Sequence, residues 1–346
     1  MSTLAQRQAV ESELAAYAAL IDEALTIHTP TGEPERYLYS LISDYPQRGG
    51  KRLRPALCLA ACEAFGGKVD EALPSAVAIE LLHTAFLIHD DIEDGSELRR
   101  GRSTLHAEHG VALALNAGDA LAILGMAPLR ANADAVGHRI ASRIGEEFTE
   151  MARHTLEGQA MELGWMRDNV TQLTSTDYLA MVLRKTCWYT TMHPLRVGLL
   201  LGSLGTINPD RVNDFGFHLG AAFQIRDDVL NLRGDEDDVG KEILGDLLEG
   251  KRTLMLIDLI EKLEGTALDD LVEFLSRSRD ERTFDEARTI RDLMEHHGSI
   301  DVAVGYADLY AARAHDTYAD ALGPAANTAA GRFLRRIIDY MVERET

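Results

Sequence analysis

Two groups of acidic residues, far apart along the chain, share one spacing. They are Asp90, Asp91 and Asp94 in HDDIED, and Asp227, Asp228 and Asn231 in FQIRDDVLN. Two carboxylates about 4 Å apart repel by roughly 4 kcal/mol at an effective dielectric of 20, so such clustering predicts a nearby cation. Carboxylates on one helix face suit Mg²⁺, which characteristically joins one or two of them to substrate phosphates. A single group of this kind is more often a solvated helix end, but two with the same spacing indicate facing clusters.

Basic residues next to glycine-rich backbone accompany these carboxylates. They lie in GGKRLRP (49–55), LRRG (98–101), the RKT stretch with Lys185, and GKEILGDLLEGKRT (240–253). Arginine forks and lysine charges bind diphosphate oxygens, and Mg²⁺ neutralises the remaining charge. The alternative is that they are surface counter-ions, with Arg99 and Arg100 pairing with Glu93 or Glu97. Together the acidic and basic groups predict metal-assisted chemistry on a diphosphate.

The composition is that of an ordinary globular protein. The chain has 346 residues, of which 46% are hydrophobic and 26% charged, with a net charge of -21. Such an acidic chain is unsuited to sequence-independent nucleic-acid binding, so no nucleic-acid partner is expected. Three cysteines do not form an even disulfide set and predict a cytoplasmic location. Cys58 and Cys62 could share a helix face, but isolated buried thiols explain them better than a metal site.

Helical periodicity dominates and predicts an all-α fold. Apolar residues recur at three- and four-residue spacings in ten segments. These segments are 5–27, 53–65, 74–94, 111–126, 139–165, 177–204, 210–232, 252–264, 282–318 and 329–343. No linker-like stretch divides the chain, so a single domain over 1–346 is expected. The longest apolar run, 197–207, is too short to span a bilayer, and no integral membrane segment is predicted.

The motifs of this chain, taken in order, resemble those of the trans-isoprenyl diphosphate synthases, the polyprenyl synthetase family. They are GGKRLRP, HDDIED with LRRG, GQAMEL, KT, FQIRDDVLN and GK with GDLLEGKRT. The resemblance implies one large helical bundle around a central cavity and a homodimer. It implies Mg²⁺-dependent condensation of isopentenyl diphosphate with an allylic diphosphate, with three ions bound. In the implied reaction the allylic C–O bond ionises to a carbocation. The isopentenyl double bond then attacks the carbocation, and a proton is lost.

The resemblance also implies roles for individual residues. Direct Mg²⁺ ligands would be Asp90, Asp94 and Asp227, with Asp91, Asp228 and Asp246 supporting hydrated metal. The allylic diphosphate would be held by Arg99, Lys185, Lys241 and Lys251. Isopentenyl diphosphate would be bound by Lys51, Arg54, His83 and Arg100, with Gly50 allowing close backbone approach. Thr186 and Gln224 would place oxygen dipoles near the carbocation. For His83, packing in the apolar core is the alternative.

Product length is the least determined property. In the resembled family the growing tail runs along the first acidic helix, where Ala85 and Phe86 precede Asp90 by five and four residues. A small residue beside a bulky one indicates an intermediate length, and Asn231 is frequent in geranylgeranyl diphosphate synthases. We therefore expect a C20 product. Farnesyl and C25 or longer products remain alternatives, because Leu82 and residues on neighbouring helices could change where bulky side chains stop the growing tail.

Two other protein classes share parts of this pattern. A class I terpene cyclase would have the fold and the first acidic motif, but NDFGFHLG (213–220) lacks the Ser and Glu of the usual cyclase motif. A non-catalytic partner subunit would be indicated by loss of an acidic motif, and both motifs are present.

Overall fold

The computed structural model describes residues 3–233 and 243–342, with side chains from residue 7 onward. α-Helices account for most of both ranges. Those of the first half are α1 (Thr3–His28), α2 (Ser40–Gln47), α3 (Leu53–Ala64), α4 (Val69–Glu93), α5 (Leu105–His109), α6 (Val111–Leu124), α7 (Asn132–Val136) and α8 (His138–Arg167). Those of the second half are α9 (Ser175–Val182), α10 (His193–Gly202), α11 (Asn213–Arg233), α12 (Gly245–Glu249), α13 (Leu254–Lys262), α14 (Thr266–Ser276), α15 (Phe284–His296), α16 (Ser299–Leu322) and α17 (Ala329–Val342).

The remaining elements are short. Within the described residues, two π-helical stretches occur at Glu35–Tyr39 and Leu183–Met192, and four 3₁₀ turns lie between α-helices. The strands β1 (Leu98–Arg99) and β2 (Arg102–Ser103) form an antiparallel hairpin directly after α4. The all-α prediction is therefore confirmed.

Helix α4 lies at the centre of the bundle, between α3 and α6. Of its 25 residues, 14 are buried, and these face several directions rather than one stripe. A helix that is apolar around its circumference is stable only when other helices surround it. This explains why α4 is enclosed, and why its polar C-terminal end opens into the cavity described below.

A second layer carries the other functional segments. Helices α9 and α10 are joined by the π-helical stretch Leu183–Met192, so the chain remains helical from 175 to 202. This stretch packs against both α8 and α11, and α11 packs along α16 on its other side. The second acidic motif, at the end of α11, is thereby brought to the same end of the bundle as the first.

Several element boundaries differ from the predicted ones. The segment predicted as one helix over 282–318 is divided at Gly298, whose φ of 71° ends α15 and starts α16. Helices α2 and α14 were not predicted. The 177–204 helix is present but contains the wider π-helical turn.

In the part of the chain that the structure describes, two stretches are long and apolar enough to cross a membrane on length and composition alone. In Val69–Glu93, 72% of the most apolar window is buried within the fold, as in a core helix. In Val111–Val136 the buried share of the most apolar window is 33%. The structure divides that stretch into α6, a 3₁₀ turn and α7. The absence of a membrane segment therefore stays a prediction.

Candidate active site

A cavity of about 1090 Å³ opens between the C-terminal ends of α4 and α11. Most side chains predicted to act on a diphosphate line it. They are Lys51, Arg54, His83, Asp90, Asp94, Arg99, Arg100, Lys185, Thr186, Gln224, Asp227, Asp228, Asp246 and Lys251. Gly50, Ala85, Phe86 and Asp91 are not among the lining residues, and Lys241 lies outside the described residues.

The first acidic motif presents two carboxylates to the cavity, Asp90 and Asp94. Burial raises the pKa of Asp90, and the charge of Asp94 adds to this, whereas Lys185 opposes it. Burial would also raise the pKa of Asp94, but Lys251 and Lys185 reverse the effect and hold it below its usual range. Two like charges one helical turn apart are therefore stabilised by two lysines from other elements.

Asp91, predicted to support hydrated metal, does not line the cavity. It is 1% exposed and accepts a hydrogen bond from the Tyr45 hydroxyl at 2.5 Å. Its other oxygen is bound by the Arg99 guanidinium, with Nε at 2.8 Å. In this arrangement both carboxylate oxygens accept hydrogen bonds, and Asp91 orients Arg99.

The second acidic motif joins a hydrogen-bonded chain. Asp228 accepts from Tyr178 Oη and from Gln224 Nε2, both at 2.7 Å, and Gln224 Oε1 accepts from Thr186 Oγ1 at 2.9 Å. Burial, with the charge of Asp246, raises the pKa of Asp228 to about 8. Thr186 and Gln224, predicted to act together, are thus in direct contact beside the second motif.

Asn231, at the last position of the second motif, has a backbone role. Its side-chain oxygen accepts a hydrogen bond from the Asp246 backbone N–H at 3.1 Å, and its carbonyl accepts from Leu244 N–H at 3.0 Å. These bonds hold the start of α12 against the end of α11. An amide oxygen serves this purpose without adding another negative charge to the cluster.

Lys251 connects the two acidic regions. Its Nζ lies 2.8 Å from Asp94 Oδ2, 3.6 Å from Asp246 Oδ1 and 2.5 Å from Glu249 Oε2. Burial alone would lower the pKa of Lys251, but these carboxylates raise it well above its usual value. Glu249 also faces Arg279, and burial raises the pKa of its carboxyl to about 7.

Lys185 has a buried partner of its own, Glu162 on α8, with which it forms a close ion pair. Burial would lower the pKa of Lys185, but Glu162 and Asp90 raise it. Gly158, one turn before Glu162, allows this contact: a Cβ there would lie 2.2 Å from Lys185 N. π-Helical turns such as Leu183–Met192 often occur at functional sites, and this one carries Lys185 and Thr186 into the cavity.

The residues predicted for isopentenyl diphosphate lie on the α3 side of the cavity. Arg54 Nη1 is 3.3 Å from His83 Nε2, and Arg54 Nη2 donates to Tyr189 Oη at 2.7 Å. Burial and the nearby arginines lower the pKa of His83 well below its usual value, so the ring is neutral at physiological pH. Lys51 lines the same wall.

Gly50 contributes space rather than a direct contact. Its φ is 141°, and a Cβ there would approach Arg100 Nη2 to 2.8 Å, while Arg100 also binds the Gly49 carbonyl. The glycine pair therefore lets the Arg100 guanidinium lie against the backbone of the loop before α3.

The predicted chain-length residues lie behind the cavity wall. Ala85 is 0% exposed. Phe86 contacts Tyr189 edge-on, with ring centroids 5.7 Å apart, and Tyr189 and Leu87 line the cavity itself. Phe86 thus supports the wall through Tyr189.

Among the described residues, no three His, Cys, Asp or Glu side chains converge as a ready-made metal cage. Mg²⁺ seldom uses such a cage, because it keeps waters and takes only one or two carboxylates together with substrate phosphates. The present residues fit that mode of binding. Asp94 Oδ1 is buried without a hydrogen-bond partner. Burial raises the pKa values of Asp90 and Asp228, and the neighbouring charges of Asp94 and Asp246 add to this, an effect that a divalent cation would offset.

Sequence reasoning missed three contributors to this site: Glu162, Glu249 and Tyr189. Glu162 lies in GQAMEL and Glu249 in GDLLEGKRT, both of which were singled out as motifs. An acidic residue inside such a motif is a weak signal by itself. Only the fold shows that each acid faces a lysine.

Comparisons with known proteins agree with this geometry. The family model "Polyprenyl synthetase" matches residues 35–291. A geranylgeranyl diphosphate synthase of Methanosarcina mazei is 31% identical over 337 residues, covering 94% of each chain. A geranylfarnesyl diphosphate synthase of Natronomonas pharaonis is 31% identical over 353 residues, covering 97% of this chain and 98% of its own.

The fold is also shared. The crystal structure of a geranylgeranyl pyrophosphate synthetase from Pyrococcus horikoshii superposes with a TM-score of 0.85 and 31% identity, covering 98% of this chain and 99% of that one. The family match spans most of the chain, and the site residues lie within it or immediately beside it. This chain is therefore a prenyltransferase and belongs to the polyprenyl synthetase family.

Proposed function

We propose that this enzyme condenses isopentenyl diphosphate with an allylic diphosphate and releases geranylgeranyl diphosphate as its main product. The observation that carries the proposal is the cavity in which two aspartate clusters face Arg99, Lys185 and Lys251. Mg²⁺ bound to Asp90, Asp94 and Asp227 would neutralise the diphosphate oxygens as the allylic C–O bond breaks. Three ions are part of the proposal.

The cationic side chains divide between the two substrates. Arg99, Lys185 and Lys251 hold the allylic diphosphate and stabilise the charge that develops as it departs. On the opposite wall, Arg54 and Lys51 bind isopentenyl diphosphate. Neutral His83 beside Arg54 offers a hydrogen bond without competing for a proton.

The carbocation lies between these two groups. The Thr186 and Gln224 pair places oxygen atoms at the cavity wall, where their dipoles stabilise positive charge. Tyr189 and Leu87 line the same wall. An enclosed, weakly hydrated region of this kind keeps water from capturing the cation before the isopentenyl double bond attacks.

The C20 length rests on two supports. Phe86 reinforces Tyr189 at the cavity wall, and relatives of similar identity and coverage carry the names of C20 and C25 synthases. A C25 product is therefore the closest rival. Farnesyl diphosphate is the other length to distinguish.

The decisive experiment is a product profile with Mg²⁺, labelled isopentenyl diphosphate and each of dimethylallyl, geranyl and farnesyl diphosphates. We expect a dominant C20 alcohol after dephosphorylation, abolished by Asp90→Ala and by Asp90→Asn. A dominant C15 or C25 product would refute the length but retain the chemistry. No condensation with any primer would instead support a partner subunit or a terpene cyclase.

A second arm tests the wall. Phe86→Ala removes the ring that supports Tyr189, so the products should lengthen to C25 or beyond, as measured by the same chromatography. Phe217→Ala is a matched control, because Phe217 is also half-buried but packs edge-on against Tyr310, which does not line the cavity. Unchanged lengths for Phe86→Ala, or equal shifts for both variants, would contradict a role for Phe86.

We also propose a homodimer in the cytoplasm and one domain over 1–346. Helix α6 exposes Val111, Leu115 and Ile123 at 54%, 47% and 73%, an apolar face suited to a second copy. All three cysteines are unpaired, as in a reducing compartment. Arg336 on α17 binds Glu13 on α1 at 2.5 Å, which joins the two ends of the chain. Light scattering after gel filtration tests the dimer.

A further inference from the structure

The two acidic motifs share a structural detail beyond their spacing. In each motif the second aspartate accepts a hydrogen bond from the hydroxyl of a buried tyrosine on another helix. Tyr45 on α2 is 3% exposed and binds Asp91, and Tyr178 on α9 is 1% exposed and binds Asp228. The same device therefore occurs at both motifs, although α2 and α9 lie far apart in the sequence.

At the first motif, the tyrosine acts on an arginine. Tyr45 Oη donates to Asp91 Oδ2 at 2.5 Å, and the remaining oxygen of Asp91 accepts from Arg99 Nε at 2.8 Å. Arg48 lies 4.3 Å above the Tyr45 ring and donates to the Arg99 carbonyl at 3.2 Å. Helix α2 thus orients both the backbone and the guanidinium of Arg99.

At the second motif, the tyrosine acts on an amide. Tyr178 and Gln224 donate to different oxygens of Asp228, each at 2.7 Å. Because the Gln224 NH₂ group faces Asp228, its oxygen faces Thr186, which donates to it at 2.9 Å. The proton of Thr186 is used in this bond, so its oxygen remains an acceptor for positive charge.

Both hydroxyls can only act as donors here. Each lies at hydrogen-bonding distance from an aspartate carboxyl oxygen, at 2.5 Å for Tyr45 and 2.7 Å for Tyr178. Each hydrogen bond is directional and holds the carboxyl group that accepts it in one orientation. Replacing tyrosine by phenylalanine removes that constraint while preserving most of the packing.

We propose that Tyr45 and Tyr178 are positioning residues for the condensation: Tyr45 fixes the Arg99 guanidinium through Asp91, and Tyr178 fixes Gln224 and Thr186 through Asp228. The inference rests on the proposed function and adds two residues that do not touch the reacting atoms. In this proposal Asp91 and Asp228 orient neighbouring side chains. The direct metal ligands remain Asp90, Asp94 and Asp227.

The test compares steady-state constants of two single variants with those of the wild type. In Tyr45→Phe, the KM for the allylic diphosphate should rise roughly tenfold, while kcat and the KM for isopentenyl diphosphate change by less than about twofold. In Tyr178→Phe, kcat should fall roughly tenfold with both KM values nearly unchanged, because the affected groups act on the carbocation.

Tyr17→Phe is the matched control. Tyr17 Oη donates to Glu63 at 2.5 Å, the same type of bond, but neither residue lines the cavity. Tyr17→Phe should leave all kinetic constants unchanged. It should lower the melting temperature by about as much as Tyr45→Phe and Tyr178→Phe do. If either test variant fails to fold, the double variants Tyr45→Phe/Asp91→Asn and Tyr178→Phe/Asp228→Asn replace the buried carboxyl group that has lost its tyrosine donor, and the same constants are measured.

The outcomes separate the two levels of the proposal. Kinetic constants of Tyr45→Phe and Tyr178→Phe equal to those of Tyr17→Phe would overturn the inference and leave the proposed function intact. The inference would also be overturned if kcat of these two variants fell only in proportion to their fraction of folded protein. A wild type without condensation activity would overturn the proposed function itself, and this inference with it.

Discussion

Two lysines make it possible for several carboxylates to share the cavity. Lys251 lies between Asp94, Asp246 and Glu249. Lys185 pairs with Glu162 and opposes the rise in the pKa of Asp90 that burial causes. Each lysine therefore has a structural as well as a chemical role. Variants of a single lysine confuse the two roles, because they leave a buried carboxylate without its partner.

Lys185→Met should separate these roles when combined with a second change. Glu162 is only 6% exposed, so loss of its partner should cost about 3–5 kcal/mol of the free energy of unfolding. In Lys185→Met/Glu162→Leu the unpaired charge is gone and most of that stability should return, but activity should stay at the level of the single variant. Urea unfolding and the condensation assay measure the two quantities.

Either of two results would contradict this expectation. A double variant as unstable as Lys185→Met would show that the ion pair is not the source of the loss. A double variant with restored activity would show that Lys185 does not bind the diphosphate.

At the level of elements, the close approach of α8 to the π-helical stretch Leu183–Met192 determines the site. The absence of a side chain at Gly158 is what permits it, since a Cβ would meet the Lys185 backbone at 2.2 Å. The neighbour is backbone, so it cannot move aside as a flexible side chain would. Sequence periodicity predicts both helices but not the distance between them.

Gly158→Ala should therefore destabilise the protein by roughly 3 kcal/mol, at the upper end of overpacking costs, and should displace Lys185 enough to lower kcat. Gly164→Ala is the control on the same helix, because a Cβ there meets nothing within 4 Å. It should instead stabilise by roughly 0.5–1 kcal/mol through lower unfolded-state entropy. Thermal melts of both variants measure this, and similar shifts would refute the close-packing argument.

At the scale of the whole molecule, one buried histidine couples stability to pH. His193, at the start of α10, is 0% exposed and lies edge-on to Phe148 with centroids 4.4 Å apart. Burial, with the charge of Arg196, lowers its pKa to about 3. Below pH 6.5 the unfolded chain takes up a proton at this ring and the folded chain does not, so acidification favours unfolding.

The contribution of His193 is thus complete above about pH 6.5 and is lost as the pH falls toward about 3, by up to about 1.4 kcal/mol per pH unit. In His193→Leu, the free energy of unfolding should depend less steeply on pH between 6.5 and 4.5 than in the wild type. His138→Leu, at an exposed position, should keep the wild-type slope. Parallel curves for wild type and His193→Leu would contradict the prediction.

The sequence by itself determined the fold class and most of the residues at the site. Apolar periodicity requires helices, and repeated acidic spacing with basic, glycine-rich segments requires a polyanion and a cation. These are local properties, readable within a few helical turns, and the family motifs joined them into one activity. Fourteen predicted side chains, from Lys51 to Lys251, line one cavity for this reason.

Only the tertiary structure decided which aspartates face the cavity and which partners they have. Asp90 and Asp91 are adjacent in sequence, yet helical geometry points one toward the cavity and the other toward Tyr45 and Arg99. The partners come from helices distant in sequence, because burying an apolar helix such as α4 brings remote elements against it. Periodicity shows that a side chain is inside the fold, but not which other side chain it meets there.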